Sequence, residues 1–152
     1  MVNFEFGVIC NSAIIDSRTE QVSIIGMIDS VQVESFPTIM PNTTIALFWK
    51  RSDSISNDDI SFEFRMRRDP DLTGVIPGIG SVGYEQSIPS GKTKTRTILN
   101  IAGIFVNNEG INKFIFEIKD REEWIQAGII ELLVSLNPTP ENTTSSPAGV
   151  SG

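Results

Sequence analysis

Two short runs of basic side chains are the residues of this 152-residue chain best suited to gripping a ligand. Arg65 and Arg67 stand two apart, with Arg68 adjoining, and Lys92, Lys94 and Arg96 repeat that interval, interleaved with Thr93, Thr95 and Thr97. In an extended chain alternate side chains share a face, so each run presents its charges to one side. Were the two strands neighbours, they would line a surface for an anion or an RNA. Nucleic acid is disfavoured, because 12 basic against 19 acidic residues leave a net charge of −7 and neither run carries aromatic side chains on which bases stack. Solvated charges, or protection of a sheet edge by Lys and Arg, need no ligand at all. Arg65, Arg67, Lys92, Lys94 and Arg96 are therefore the candidate contacts for a partner or an anion.

The other groups with chemical potential do not assemble. The chain has no His, which removes the commonest general base, the Ser–His and Cys–His nucleophile pairs and every His-containing zinc site. A single Cys, Cys10, excludes an intramolecular disulfide and a thiolate cluster, and no neighbouring base or cation points to an activated thiol. Asp53, Asp58 and Asp59 precede one strand-like segment and Asp69 and Asp71 follow it; loops at opposite ends of one strand do not converge, whereas calcium needs several carboxylates in one cage. Gly78-Ile79-Gly80-Ser81-Val82-Gly83 spells a nucleotide-loop pattern but lacks the following helix whose amides would meet a phosphate. Gly91-Lys92-Thr93 resembles the end of a phosphate-binding loop, but Gln86 occupies the position of the required first glycine. No catalytic, cofactor or metal site is expected, and no cofactor.

The elements that must carry these residues are strands. The 22 Ile and 10 Val greatly outnumber the 6 Leu and 5 Ala, and β-branched side chains favour a pleated sheet over a helix. Phe4, Phe6, Val8 and Cys10 alternate and are expected on one core face. Val22, Ile24 and Ile28 keep an even phase while Val31 and Val33 keep an odd one, so a bulge or bend at Gly26 or Asp29-Ser30 is expected to carry the chain from one sheet toward another. Ile45, Leu47 and Trp49 form a further inward row. Ile60, Phe62, Phe64 and Met66 against Ser61, Glu63, Arg65 and Arg67 make the cleanest one-sided strand. Residues 96–106 are apolar on both faces, as suits a central strand, and Asn107-Asn108-Glu109-Gly110 reads as the turn of a hairpin into Phe114, Phe116 and Ile118. A last strand holds Ile130, Leu132, Val134 and Leu136, with a short helical turn possible at Trp124 and Ile125.

Seven or eight such strands, with no amphipathic helix of more than two turns, predict an all-β, two-layer antiparallel β-sandwich of immunoglobulin-like or C2-like form, a closed barrel being the alternative. One domain is expected over residues 1–136. The Gly- and Pro-rich stretch 69–91 reads as a long irregular loop and residues 137–152 as a disordered tail. Residues 1–11 carry Glu5 and no basic residue, unlike an export signal, and no window is long and apolar enough for a membrane span, so a cytoplasmic protein is expected.

The run from Gly26 to Pro37, with its Gly, Asp, aliphatic and Phe-Pro pattern, resembles a bacterial family known only as a domain of unknown function, and the Asn100-Ile101 run, the Gly110 turn and the Phe114/Phe116 strand resemble its second half. The likeness spans most of residues 4–136, implies a β-sandwich and transfers no activity. The functional expectation is a non-enzymatic binding or interaction module whose partner is another protein, its oligomeric state undefined. A metal-dependent carboxylate enzyme and a structural subunit of a larger assembly, such as a phage particle, are the alternatives.

Overall fold

A computed structural model describes residues 1–52, 57–69 and 83–137. The described residues form nine strands and no helix: β1 (Val2–Ile15), β2 (Val22–Ile28), β3 (Ser30–Val33), β4 (Thr38–Arg51), β5 (Ile60–Asp69), β6 (Tyr84–Ile88), β7 (Lys94–Val106), β8 (Gly110–Asp120) and β9 (Glu123–Leu136). They build two sheets, a four-stranded one ordered β2-β1-β4-β7 and a five-stranded one ordered β3-β9-β8-β5-β6. All pairings are antiparallel except β3 with β9, which is parallel. The all-β sandwich is thus the architecture, with one or two strands more than periodicity indicated. No helix among the described residues is long and apolar enough to cross a membrane.

The two sheets bury one shared core. Trp49, Ile45 and Leu47 from β4, Phe62 and Phe64 from β5, Phe114 and Phe116 from β8 and Leu132 and Val134 from β9 are buried in it. The change of phase after Ile28 is where the chain crosses between sheets: β2 ends at Ile28, Asp29 accepts a backbone hydrogen bond from Leu133, and β3 pairs with β9. Pro41 is tolerated within β4 because β1 accompanies β4 only as far as Thr44, so no ladder bond is demanded of the proline on that side.

Several expectations from periodicity are corrected. Glu5 forms a bulge where the pairing of β1 with β4 shifts between Phe4 and Phe6. Phe4 and Ile9 therefore pack with the core, whereas Phe6 is 46% exposed and stacks on Phe48 on the sheet's outer side. Cys10 is buried as expected but stands opposite Thr44 and Met27, outside the main core. The turn at residues 107–110 joins β7 of one sheet to β8 of the other and is no hairpin, because Val106 and Phe114 both face the core from opposite layers. Its Gly110 has φ 115°, a backbone that favours glycine. β7 is an edge strand rather than a central one. Trp124 and Ile125 continue β9 as a strand, not a helical turn, and the tight hairpin runs from Asp120 to Glu123. The tail expected from residue 137 onward lies outside the described residues beyond Asn137.

β1 and β2 continue together past the point where β1 leaves β4. From Ser12 to Ile15 and from Val22 to Ile25 these strands pair only with each other, forming a hairpin arm. At roughly 3.3 Å per residue a straight β1 would be about 46 Å long and would carry the arm's tip far from the Val2 end. Yet Glu20 at the tip is ion-paired with Lys92, which lies just before β7 at the Val2 end. The arm consequently doubles back across the outer side of the four-stranded sheet. Ala46 and Cys10, both on that outer side, are fully buried, as a covering layer requires.

Packing at Gly128 gives the fold a direct test. A Cβ at Gly128 would sit 2.0 Å from the Phe4 ring, which is itself wedged between Trp49 and Phe116 with centroids 5.4 and 5.8 Å away. Gly128→Ala is expected to lower stability by about 1–3 kcal/mol through overpacking while the β-type circular dichroism is kept, as read from urea denaturation.

Candidate functional site

The outward side of the five-stranded sheet gathers charged and aromatic side chains in mutual contact. Strand alternation sends Phe62, Phe64 and Met66 inward from β5, which leaves Glu63, Arg65 and Arg67 on the outer face. The register sets Arg65 opposite Glu117 of β8 and Glu117 opposite Gln126 of β9. Two pairs along, and so on the same face, Lys119 stands opposite Trp124. Side chains from three strands thereby meet on one surface.

Glu117 is the centre of this set. Arg65 Nε donates to its Oε2 at 2.5 Å and Arg67 Nε donates to its Oε1 at 2.8 Å, so one carboxylate holds two guanidinium groups. Although its position faces outward, Glu117 is only 6% exposed, because the two arginines lie over it. Burial is the largest single influence on its carboxyl and pushes the pKa up. The hydrogen bonds and charges of Arg65 and Arg67 together outweigh that burial and hold the pKa below its ordinary value. The Arg65 guanidinium also lies 4.5 Å above the Trp124 ring, and the Lys119 ammonium lies 5.7 Å from the same ring while bonding Glu63 Oε2 at 3.2 Å. Chemically this is a rigid basic and aromatic surface, able to receive a carboxylate or a similar anion on the outer edges of two ordered guanidiniums.

The five basic residues singled out in the sequence do not converge. Arg65 and Arg67 share the surface just described, whereas Lys94 and Arg96 occupy β7 of the other sheet, with Lys92 just before it. There Lys92 pairs with Glu20, Lys94 Nζ bonds Glu5 Oε1 at 2.9 Å, and Arg96 stands opposite Phe48. Of the acidic candidates, Asp58 uses its carbonyl to accept from Arg51 Nη2 at 2.9 Å, and Asp59 Oδ1 accepts from the Ser90 amide at 2.6 Å. Asp69 stands opposite Lys113 at the far end of β5. Asp53, Asp71 and the glycine pattern before Gly83 lie outside the described residues. Among the described residues no three His, Cys, Asp or Glu side chains gather as metal ligands.

Two contributors to this surface escaped sequence reasoning, and one neighbouring arginine lies elsewhere. Glu117 and Trp124 carry no spacing signal that ties them to Arg65. Arg68 does carry one, since it continues the inward phase of Phe62, Phe64 and Met66. It is buried between the layers, where Nη1 donates to the Phe105 carbonyl at 2.6 Å, Nη2 donates to Asn112 Oδ1 at 3.1 Å, and the guanidinium lies 4.7 Å from the Phe114 ring. Burial lowers its pKa from the ordinary value. Arg68 therefore ties β7 to β5 and β8 and takes no part in the exposed surface. Burial also pushes the pKa of the Cys10 thiol up from its ordinary value.

Residues 5–127 match a family model described as "Family of unknown function (DUF6941)". No curated protein matches the chain. Among solved structures, a match is the PmoD soluble domain from Methylocystis sp. ATCC 49242 (Rockwell), at 14% identity and a TM-score of 0.34, covering 89% of this chain and 98% of that one.

The Glu117 clamp predicts a pH dependence of stability. A carboxyl whose folded-state pKa is depressed contributes stability that is present above its ordinary value near 4.5 and is lost as pH falls through the folded value. Glu117→Gln is expected to cost about 1.5–3 kcal/mol at pH 7, the worth of hydrogen bonds to a charged group. The gap to the unmodified protein should narrow as pH falls below the ordinary carboxyl value, as read from urea midpoints at pH 7 and pH 3.

Proposed function

Since the chain belongs to this family of unknown function, we propose that it is a non-enzymatic recognition module that binds another protein through the outer face of its five-stranded sheet. The observation that carries this reading is the clamp: Glu117 orders Arg65 and Arg67 at the surface before any partner arrives. Ordering long side chains in advance lowers the entropy cost of binding. Arg65 and Arg67 donate their Nε groups to Glu117, and among the described residues their terminal nitrogens make no further hydrogen bond. Those nitrogens suit a carboxylate offered by an acidic segment of a partner. Trp124 beside them, with exposed Ile129, Leu133 and Ile111 further along β9 and β8, supplies the arginine, tryptophan and apolar mixture from which binding hot spots are built. A cytoplasmic setting belongs to the same proposal, in keeping with a single buried free thiol.

Native pull-down followed by mass spectrometry tests the reading with variants that leave the Glu117 clamp intact. Trp124→Ala and Lys119→Glu are each expected to reduce recovery of a specific partner by about tenfold or more, as loss of a hot-spot side chain does. Circular dichroism and the urea midpoint of Lys119→Glu should stay close to those of the unmodified protein. Equal recovery of that partner by all three proteins, or no specific partner in repeated trials, overturns the proposal.

A further inference from the structure

The hairpin arm has the construction of a movable part. Its own hydrogen bonds make it a unit: Ser12 to Ile15 pair with Ile25 to Val22, and the tip is closed by Asp16, whose carboxylate accepts from the amides of Arg18 and Thr19. Where the arm joins the sandwich, the ladder of β1 and β2 skips the Asn11 and Gly26 positions. Gly26 has φ 66°, and a Cβ there would meet the Asn11 side chain at 2.3 Å. At this level a skipped pairing on one strand faces a glycine in the left-handed region on the other, so the regular ribbon is interrupted on both strands. At the other end, the pair between Lys92 and Glu20 is the only ion pair or hydrogen bond among the described residues that ties residues 12–25 to the rest of the sandwich. Both partners of that pair are exposed, and exposed ion pairs hold weakly.

We propose that the arm is a strap that opens and closes as a unit over the outer side of the four-stranded sheet, hinged at Asn11 and Gly26 and latched by Lys92 and Glu20, while both sheets stay folded. The closed strap hides Cys10 and Ala46, and opening it uncovers an apolar strip that also includes Val8 and Ile98, cross-strand neighbours of Ala46. Such opening is a sub-global event, separate from unfolding of the core. The proposal rests on different residues from the recognition surface, so either stands without the other.

Cys10 is the chain's single thiol, so its modification reads the strap directly. The experiment follows N-ethylmaleimide labelling of the full chain under native conditions, together with the urea midpoint, for the unmodified protein, Lys92→Glu, Glu20→Lys and the double reversal. Each single reversal replaces attraction by repulsion and is expected to speed labelling about fivefold with an unchanged midpoint, while the double reversal restores the original rate. Hydrogen exchange of the unmodified protein supplies a second readout: a two-stranded hairpin lifted off the sheet is marginally stable, so amides of residues 12–15 and 22–25 exchange together and before those of β8. Labelling rates unmoved by the single reversals, rates that change only in step with the urea midpoint, or arm amides that exchange together with β8 overturn the proposal.

Discussion

The structure depends on how the Trp49 side chain is seated between the layers. Its ring is fully buried, with centroids 5.4 Å from Phe4, 5.1 Å from Phe62 and 5.0 Å from Phe64, so one residue of β4 touches rings from its neighbour β1 and from β5 of the opposite sheet. A buried indole must also satisfy its N–H, and Nε1 donates to Thr97 Oγ1 at 3.1 Å. That hydroxyl in turn donates to Gln86 Oε1 at 3.0 Å, and Gln86 belongs to β6 of the other sheet. The aromatic contact and the polar chain thus lock the layers in one register. Arg68 makes a second inter-sheet tie through the Phe105 carbonyl.

With the inner faces committed, the outer faces are free to differ, and they do. The five-stranded sheet displays ordered charge around Glu117, whereas the four-stranded sheet keeps Cys10 and Ala46 buried on its outer side and extends its β1–β2 hairpin back to Lys92. The difference begins at two local irregularities. The bulge at Glu5 turns Phe6 away from the core, and the break at Asn11 and Gly26 lets β1 leave β4. A two-residue period cannot pass through the extra residue at Glu5 without reversing which side chains point inward, so that bulge reassigns the positions beyond it, whereas the break at Asn11 and Gly26 keeps the register of β1 with β2 unchanged.

This is also why the candidate surface was only half legible. Arg65 and Arg67 announced a shared face, because β5 keeps strict alternation from Ile60 to Arg67. Their counter-charge did not, because Glu117 lies 50 residues from Arg67 and 52 from Arg65 and reaches them only through the pairing of β5 with β8. The turn at residues 107–110 shows the same limit. Its residues suit a tight reversal, but the partner of β7 is decided by the demand of Val106 and Phe114 for the same core from opposite sides.

By itself the amino-acid order determined the all-β class, the inward rows of β4, β5 and β8, the crossing between sheets after Ile28 and the want of a His- or thiolate-based site, since each follows from side-chain type and a short-range period. Only the tertiary structure decided which strands are neighbours, which arginines meet a carboxylate and which apolar residues outside the core are covered. Those outcomes turn on long-range pairing and on irregularities in the strands, whose consequences appear many residues away from the positions that cause them.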